Sequence, residues 1–317
     1  MRLKLHIGHG KTGSSYLQSW FACNARLLLE KYGILYPGQH HHAEKGHFSL
    51  GNCEELDAFL CNHRVRDWIR QSSCLISESK IKPSSLLFSF EGLTRKFNLY
   101  QKKLAHRAEL VGIKTIDILL IVRDPLEHAC SVYNQMVKRH GYYGSLDEWL
   151  DIYDFTDYLL KTIQELNDNK NLWNISVANY KNISSSLLDF TKSWLNISTI
   201  DSFDQIPNFT VNRSLTYDEL HLMRIINRKI GIKSRLLGEQ LSNQFPNLNS
   251  YSPQPSIESA KKFVDKWMAH VTSINHLLPQ EAQLGLDIST IQEQPLKSDI
   301  IKLSHQQISC LIDSILN

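Results

Sequence analysis

The stretch "LHIGHGKTGSSYLQSWF" (residues 5–21) decides how the fold begins. Residues 3–7 read as a short apolar strand, which runs into a loop of glycines and small hydroxyl residues around Lys11. From residue 14 to about residue 31 the apolar side chains recur at helical spacing, which predicts a helix. A loop between a strand and a helix directs backbone N–H groups and the positive end of the helix dipole at an anion.

The loop differs from the phosphate loop of ATPases, which has the form G-x-x-x-x-G-K-[ST]. Here the order is Gly8-x-Gly10-Lys11-Thr12-Gly13-Ser14-Ser15, with the lysine ahead of the last glycine. The sequence therefore predicts a phosphate-binding loop of another kind, although loops of this composition are also found as simple turns.

The rest of the chain alternates strands with helices. We predict strands at residues 85–93, 116–125 and 173–180, a short extended piece within 32–38, and helices at 54–72, 97–111, 125–139, 154–167, 184–194, 216–243 and 256–278. This alternation predicts one α/β domain over residues 1–317, with three layers: a central, mostly parallel sheet flanked by helices, and a helical C-terminal half.

Composition narrows the function classes. The 317 residues carry a formal net charge of +3, which is too small to indicate nucleic-acid binding. The six cysteines are scattered without a C-x-x-C pair, so we expect reduced thiols. No segment approaches the ~20 apolar residues of a membrane helix, and no signal peptide is evident. We therefore expect a soluble, cytoplasmic protein.

A second candidate site follows the strand "IDILLIVRDP" (116–125), a continuous apolar run typical of a parallel sheet. Arg123 stands at the carboxyl end of this strand, where open α/β sheets bind ligands. Asp124 can cap the next helix, Pro125 suits its first position, and Ser131 lies within it. Arg123 alone could be a salt-bridge partner and Ser131 a surface residue. Together with the first loop they imply a ligand with two separated phosphates.

These motifs resemble those of the sulfotransferases that use 3′-phosphoadenosine 5′-phosphosulfate (PAPS). The segment "HIGHGKTGSSYLQ" is similar to their 5′-phosphosulfate loop, H-I-G-x-x-K-T-G-[ST]-[ST]-x-L-Q in the bacterial branch. The segment "VRDPLEHACSVYNQMVKRHG" (122–141) is similar to their 3′-phosphate motif, which has Arg and Ser eight residues apart. Weaker similarities occur in "ISVANYKNI" (175–183), where Lys181 replaces the usual acid, and in "NRSLTYDELHLMRIIN" (212–227).

The resemblance implies roles for individual residues. Lys11 would contact the sulfonate and offset charge on the leaving phosphate. The 5′-phosphosulfate contacts would come from one loop, and they are Gly10, Lys11, Thr12, Gly13, Ser14 and Ser15. Arg123 and Ser131 would hold the 3′-phosphate, since a planar guanidinium suits that oxyanion. Arg213 would be a second cation there or, alternatively, a surface arginine. No metal is required.

The acceptor hydroxyl must lose a proton during transfer, so a general base is expected. Glu91 stands at the end of the strand "SLLFSFEGL" (85–93), on the sheet edge where the donor should lie. Glu91 could instead form a salt bridge with Arg95. His47 is the rival base, and its neighbours His40-His41-His42 could line the acceptor pocket or, less in keeping with zinc-ligand patterns, hold a metal.

The function expected from the sequence is PAPS-dependent transfer of a sulfuryl group to a hydroxyl of a saccharide or glycolipid, with 3′,5′-ADP as the product. Two alternatives stay open. One is a nucleotide-dependent kinase of the same broad fold, which the loop frame and the Arg123–Ser131 pair oppose. The other is a non-catalytic protein that binds a nucleotide or glycan, for which Lys181 in place of the acid is the argument. The acceptor and the oligomeric state are not indicated by the sequence.

Overall fold

The computed structural model of the chain describes residues 1–47, 49–78, 81–198, 202–207, 211–289, 291 and 300–316. These residues group into two compact units. The first unit comprises Met1–Arg123, Thr156–Phe209 and His270–Leu284, and the second comprises Asp124–Phe155, Thr210–Ala269 and Gly285–Asn317. The single domain expected over residues 1–317 stays a prediction.

In the described residues, the first unit contains one sheet of five parallel strands. The strands in chain order are β1 (Arg2–His6), β2 (Ile34–Leu35), β3 (Ser85–Ser89), β4 (Thr115–Val122) and β5 (Asn174–Asn179), and they lie side by side in the order β2-β3-β1-β4-β5. Helices flank the sheet, and the chain after β5 is helical. The predicted fold class, an α/β protein with a central parallel sheet and a helical C-terminal half, is confirmed.

The strand order creates a switch point at β1. The chain reaches β3 on one side of β1 and then crosses to β4 on the other side, so His6 lies in register with both Ser89 and Leu119. Ligands of open α/β sheets bind beyond the carboxyl ends of the strands at such a point. The segments that follow β1, β3 and β4 are those that carry Lys11, Glu91 and Arg123.

Fifteen α-helices are described, interrupted by 3-10 turns at Gly231–Ser234 and Gln280–Ala282. They are α1 (Ser14–Cys23), α2 (Ala25–Tyr32), α3 (His41–Glu44), α4 (Cys53–Cys61), α5 (Val65–Ile76), α6 (Leu93–Val111), α7 (Pro125–His140), α8 (Leu146–Ile152), α9 (Phe155–Asp168), α10 (Tyr180–Ile183), α11 (Leu187–Leu195), α12 (Tyr217–Ile230), α13 (Arg235–Gln244), α14 (Ile257–Leu277) and α15 (His305–Leu316).

Several predicted helices are divided. The helix expected over 14–31 breaks at Asn24, whose side-chain amide donates to the carbonyls of Trp20 and Asp204. The helix expected over 54–72 is two helices, α4 and α5. Apolar periodicity persists across such breaks, because both pieces bury a face against the same core, so periodicity alone does not locate them.

Each unit has its own apolar core. In the first unit, Leu17 and Phe21 of α1 pack with Leu119 of the sheet, and on the other face the ring of Phe59 lies 5.5 Å from that of Phe88. In the second unit, helices α7, α8 and α12–α15 surround a cluster that includes Tyr153. A core in each unit explains how residues far apart in sequence are held in place.

The residues that begin α7 were predicted correctly, but the hydrogen bond made by the Asp124 side chain was not. Asp124 occupies the capping position and Pro125 is the first helical residue, as expected. The Asp124 side chain does not cap the helix; it accepts a hydrogen bond from the N–H of Gly285 at 2.9 Å. The helix ends at Gly141, whose φ of 71° suits glycine.

Two further expectations concern the cysteines and membrane-spanning helices. All six cysteines are free thiols. Within the described ranges, none of the helices combines the length and the apolar character that crossing a membrane would need.

Candidate functional site

The loop after β1 has a backbone suited to anion binding. Gly13 caps α1 with φ at 81°, and a Cβ at this position would lie 2.4 Å from the Cδ2 of Leu187. Glycine is therefore required there, and it offers no side chain to accept the first helical N–H groups. Lys11 also has a positive φ of 64°, a costly conformation for a residue with a side chain. Such strain is often found at ligand sites.

Buried hydroxyls line the inner side of this loop. The Thr12 hydroxyl donates to the carbonyl of His9 at 2.6 Å and is fully buried. The Ser14 hydroxyl is 2% exposed and has no hydrogen-bond partner in the part of the chain that the structure describes. A Cβ on Gly8 would lie 3.1 Å from the Ser14 Oγ and 3.0 Å from the Nε2 of His6. A buried hydroxyl without a protein partner is uncommon in folded proteins.

The hydroxyls of Thr12 and Ser14 differ in their hydrogen bonding. The Thr12 hydroxyl holds the loop together, and the role of Thr12 as a ligand residue stays a prediction. Ser14 has a buried hydroxyl at the start of α1, where the helix dipole also favours negative charge.

Cationic groups surround the loop. The Arg123 Nη1 donates to the carbonyl of Lys11 at 3.0 Å, and its guanidinium lies 5.4 Å from the ring centre of Tyr180. Burial, followed by the charges of Arg123 and Arg95, lowers the pKa of His9 to about 3. His9 is therefore neutral near pH 7; burial is the main cause of its low pKa, and the two arginine charges add to it. The structure places Arg123 against the backbone of Lys11, and the roles expected for the two residues at separate phosphates stay predictions.

Glu91 lies beside the same loop. It follows β3 by two residues, and its Oε2 is 3.9 Å from the position that a Cβ would take on Gly10. The residue is partly exposed. A carboxylate next to a cationic anion-binding loop can accept a proton from a group held at that loop.

His47 has different surroundings. Its N–H donates to the carbonyl of His42 at 2.9 Å, and the two rings are 6.3 Å apart. Burial, with smaller effects from His42 and Lys45, lowers the pKa of His47. His40 bonds through Nε2 to the carbonyl of Pro37. These contacts lie within the segment 37–47, and none of them involves the loop around Lys11.

A metal site was the less favoured alternative for these histidines. Among the residues that the structure describes, no group of three or more His, Cys, Asp or Glu side chains is arranged to hold a metal ion.

Ser131 and Arg213 belong to the second unit. Ser131 is a partly exposed residue of α7, and its role with Arg123 stays a prediction. Arg213 is buried, with its Nη atoms 2.7 and 2.8 Å from the carboxylate of Glu219. Its other N–H groups donate to the carbonyls of Ser214, Leu241 and Phe245.

All five N–H donors of a guanidinium are thus occupied at Arg213. Arg213 is therefore not the surface arginine named as the alternative, and its role at the 3′-phosphate stays a prediction, which this pairing opposes. The reason is that the capping carboxylate at the start of α12 lies opposite it, and this pairing is visible only in the folded chain.

Three residues lie beside the loop although sequence reasoning gave them no role there. The ring of Tyr180 lies beside Arg123 and is 3.4 Å from the Cβ position of Gly13. The Thr94 hydroxyl donates to the carbonyl of Gly8 at 3.0 Å and holds the start of the loop. Arg95 contributes charge near His9 and packs over Tyr158. Tyr180 could have been predicted as a site residue from the sequence, since it directly follows β5 at the carboxyl edge of the sheet.

Comparison with known proteins adds little. No family model matches the chain, and no curated protein matches it. Among solved structures, the chain is similar to a sulfotransferase from Alicyclobacillus acidocaldarius, with 12% identity and a TM-score of 0.40 over 74% of this chain and 96% of that one. A likeness this distant assigns neither a family nor an activity.

Proposed function

We propose that the protein is a sulfotransferase that moves a sulfuryl group from PAPS to the hydroxyl of an acceptor, a saccharide or glycolipid. The observation that carries the proposal is the position of the Glu91 carboxylate, with Oε2 3.9 Å from the Cβ position of Gly10 in the Lys11 loop. Transfer to a hydroxyl needs an electrophile activated by positive charge and a base beside it, and this edge of the sheet offers both.

The residues present fit the donor. The start of α1 lacks a side-chain cap, the Ser14 hydroxyl is buried without a partner in the described chain, and Arg123 and Arg95 make the potential positive. Lys11, Gly13, Ser14 and Ser15 would hold the 5′-phosphosulfate, and Arg123 the 3′-phosphate. PAPS supplies an activated sulfuryl group, whose bond to the phosphate oxygen breaks as the bond to the acceptor oxygen forms.

The chain's own residues have separate tasks in this scheme. Lys11 offsets the negative charge that develops on the departing phosphate. Glu91 takes the proton of the acceptor hydroxyl. Arg123 fixes the loop through the carbonyl of Lys11, so its loss should affect both donor binding and the position of Lys11. The phosphate loop of a kinase has the form G-x-x-x-x-G-K-[ST]; Gly10-Lys11-Thr12 matches its last three positions, but Leu5 stands where the first glycine is required.

The first test is ligand binding. We expect 3′,5′-ADP to raise the melting temperature of the protein, because a ligand that binds only the folded state stabilises it by about 2.7 kcal/mol at a hundred times its Kd. The measurement is a thermal-shift titration with 3′,5′-ADP, with 5′-AMP and ATP–Mg²⁺ alongside. 5′-AMP should have a smaller effect, since it lacks the 3′-phosphate.

The comparison ligands decide between the alternatives. A shift with ATP–Mg²⁺ and none with 3′,5′-ADP would contradict the proposal and indicate a kinase. A shift with 3′,5′-ADP, without release of 3′,5′-ADP from PAPS in the presence of any saccharide or glycolipid, would indicate the non-catalytic binding protein.

The second test concerns the base. Glu91→Gln should lower transfer about a hundred-fold, because the amide cannot accept the proton, while the affinity for 3′,5′-ADP stays the same. His47→Gln is the matched variant and should leave transfer near the wild-type rate. The measurement is 3′,5′-ADP release from PAPS with a panel of saccharide and glycolipid acceptors. If His47→Gln abolishes transfer and Glu91→Gln does not, the base has been assigned to the wrong residue.

A further inference from the structure

A cavity of about 920 Å³ lies in the first unit at the edge of the sheet opposite to the candidate active site. Its lining includes Met1, Ser84 and Gly112, which precede the amino ends of β1, β3 and β4. Lys11, Glu91 and Arg123 follow the carboxyl ends of the same strands. Because the strands are parallel, the cavity and the candidate active site are separated by the length of the sheet.

One face of α5 forms a wall of the cavity. Arg66, Ile69, Arg70 and Cys74 line it, and their spacing of three or four residues places them on the same side of the helix. The segment before β3 contributes Lys82 from across the cavity. The lining therefore combines an apolar surface with three cationic side chains.

The charges of this lining are unequally compensated. No carboxylate belongs to it. Asp67 is 3.7 Å from the Nη2 of Arg70 on the exposed side of the helix, and it offsets one positive charge. In the described chain, Arg66 and Lys82 have no ion-pair partner. Two positive charges thus face the cavity without a counter-charge, which matches a dianion such as a phosphate monoester near pH 7.

The apolar part of the lining sets a second requirement. Ile69 is 7% exposed, Pro83 is buried, and Ile81 and Val111 are partly buried around the same space. Pockets for organic ligands have volumes of about 300–1,000 Å³ and are mostly apolar with a few polar groups, so this cavity is far larger than a free phosphate needs. An occupant must bury an apolar group here as well as present its charge.

We propose that this cavity binds an organic phosphate monoester with an apolar ring or chain. The phosphate lies between Arg66, Arg70 and Lys82, where guanidinium groups can hold it with paired hydrogen bonds. The apolar group packs against Ile69 and Ile81. The site is independent of the sulfotransferase proposal, because it shares no residue with the loop around Lys11.

Cys74 offers a local readout of binding. It is an exposed free thiol in the lining, whereas Cys61 is an exposed free thiol outside it. The probe is 1-naphthyl phosphate, and the measurement is the rate of alkylation of each cysteine by iodoacetamide, followed by peptide mass spectrometry. At ten times its Kd the probe should slow alkylation of Cys74 about ten-fold, because only the empty site reacts. Alkylation of Cys61 should not change.

The comparison ligands and variants test each part of the proposal. 1-Naphthol and inorganic phosphate should each protect Cys74 much less than the ester. The double variant Arg66→Ala/Arg70→Ala should lose the protection, whereas Arg64→Ala, an exposed arginine of the same segment outside the lining, should retain it.

Several results would overturn the proposal. Equal protection by 1-naphthol would show that the charge is not recognised. Equal protection by inorganic phosphate would show that the apolar group is not. Equal slowing at Cys61, no slowing at Cys74, or protection that persists in the double variant would each exclude the site. None of these results depends on the binding of 3′,5′-ADP at the Lys11 loop. The cavity proposal and the sulfotransferase proposal can therefore be disproved independently.

Discussion

Replacing Lys11 with alanine should lower sulfuryl transfer about a thousand-fold, the effect of removing a cation from a phosphoryl-type transition state. Lys11 stands in the loop that leads into α1, and its carbonyl is held by Arg123 at 3.0 Å. The substitution removes the ammonium group while the backbone keeps its positive φ, because alanine meets the same restriction as lysine. Activity should therefore fall without a large change in melting temperature.

A glycine at the same position separates charge from strain. Lys11→Gly removes the ammonium and also relieves the cost of φ at 64°, so it should be at least as stable as the wild type and as inactive as Lys11→Ala. Lys11→Arg, which keeps the charge, should retain part of the activity. Lys102→Ala, an exposed lysine of α6, is the matched control. The measurement is 3′,5′-ADP release from PAPS with saccharide and glycolipid acceptors, and wild-type activity in Lys11→Ala would contradict the assignment.

Replacing Glu219 with alanine should destabilise the protein by about 3–5 kcal/mol, because it leaves a buried guanidinium without its counter-charge. The Glu219 carboxylate accepts two hydrogen bonds from Arg213, one from the N–H of Thr216 at 2.8 Å and one from the Nε2 of Gln307 at 2.8 Å. Both side chains of the ion pair are fully buried.

An exposed ion pair provides the control for this effect. Glu258 and Lys262 are 2.7 Å apart on α14 with side chains 78% and 67% exposed, so Glu258→Ala should lower the free energy of unfolding far less than Glu219→Ala. The measurement is the free energy of unfolding from urea titration. A loss in Glu219→Ala no larger than that in Glu258→Ala would show that Arg213 finds another partner.

The same pair makes a prediction for acid. Burial raises the pKa of Glu219, but hydrogen bonds from Arg213 and Thr216 outweigh it, so the net effect is a pKa below the usual 4.5. A depressed pKa contributes stability above the unfolded value, and that contribution is lost as the pH falls through the folded pKa. The stability difference between wild type and Glu219→Ala should therefore be full near neutral pH and shrink below about pH 4.5.

The fold class was predictable, and the loop around Lys11 could be singled out as a candidate anion site, because both depend on local patterns. Apolar runs at residues 3–7 and 116–125 indicated parallel strands, and the loop around Lys11 lay between a strand and a helix. Parallel strands share one carboxyl edge, so Lys11, Glu91 and Arg123 could be placed on the same side of the sheet from their positions alone. The contact between Arg123 and Lys11 agrees with that placement.

Other features depend on partners that are distant in sequence. Lys4, inside an apparently apolar strand, is buried and lies 3.6 Å from Asp117 of β4. Asn24 ends α1 by bonding to Asp204, a residue 180 positions away. The last helix, α15, was not predicted, although its Gln307 bonds to Glu219 in the second unit. The periodicity of one segment does not predict which polar group of a distant segment it will contact.

The sequence by itself indicated the parallel sheet, the edge at which a ligand should lie and the loop that should hold a phosphate, since side-chain period and the succession of strand, loop and helix are local properties. Only the tertiary structure decided which polar groups meet. It placed Glu91 beside the loop, gave Thr12 an internal hydrogen bond, turned Arg213 into a buried partner of Glu219, and formed the cavity at α5. The role of a charged side chain depends on the groups around it, and packing between distant segments decides which groups those are.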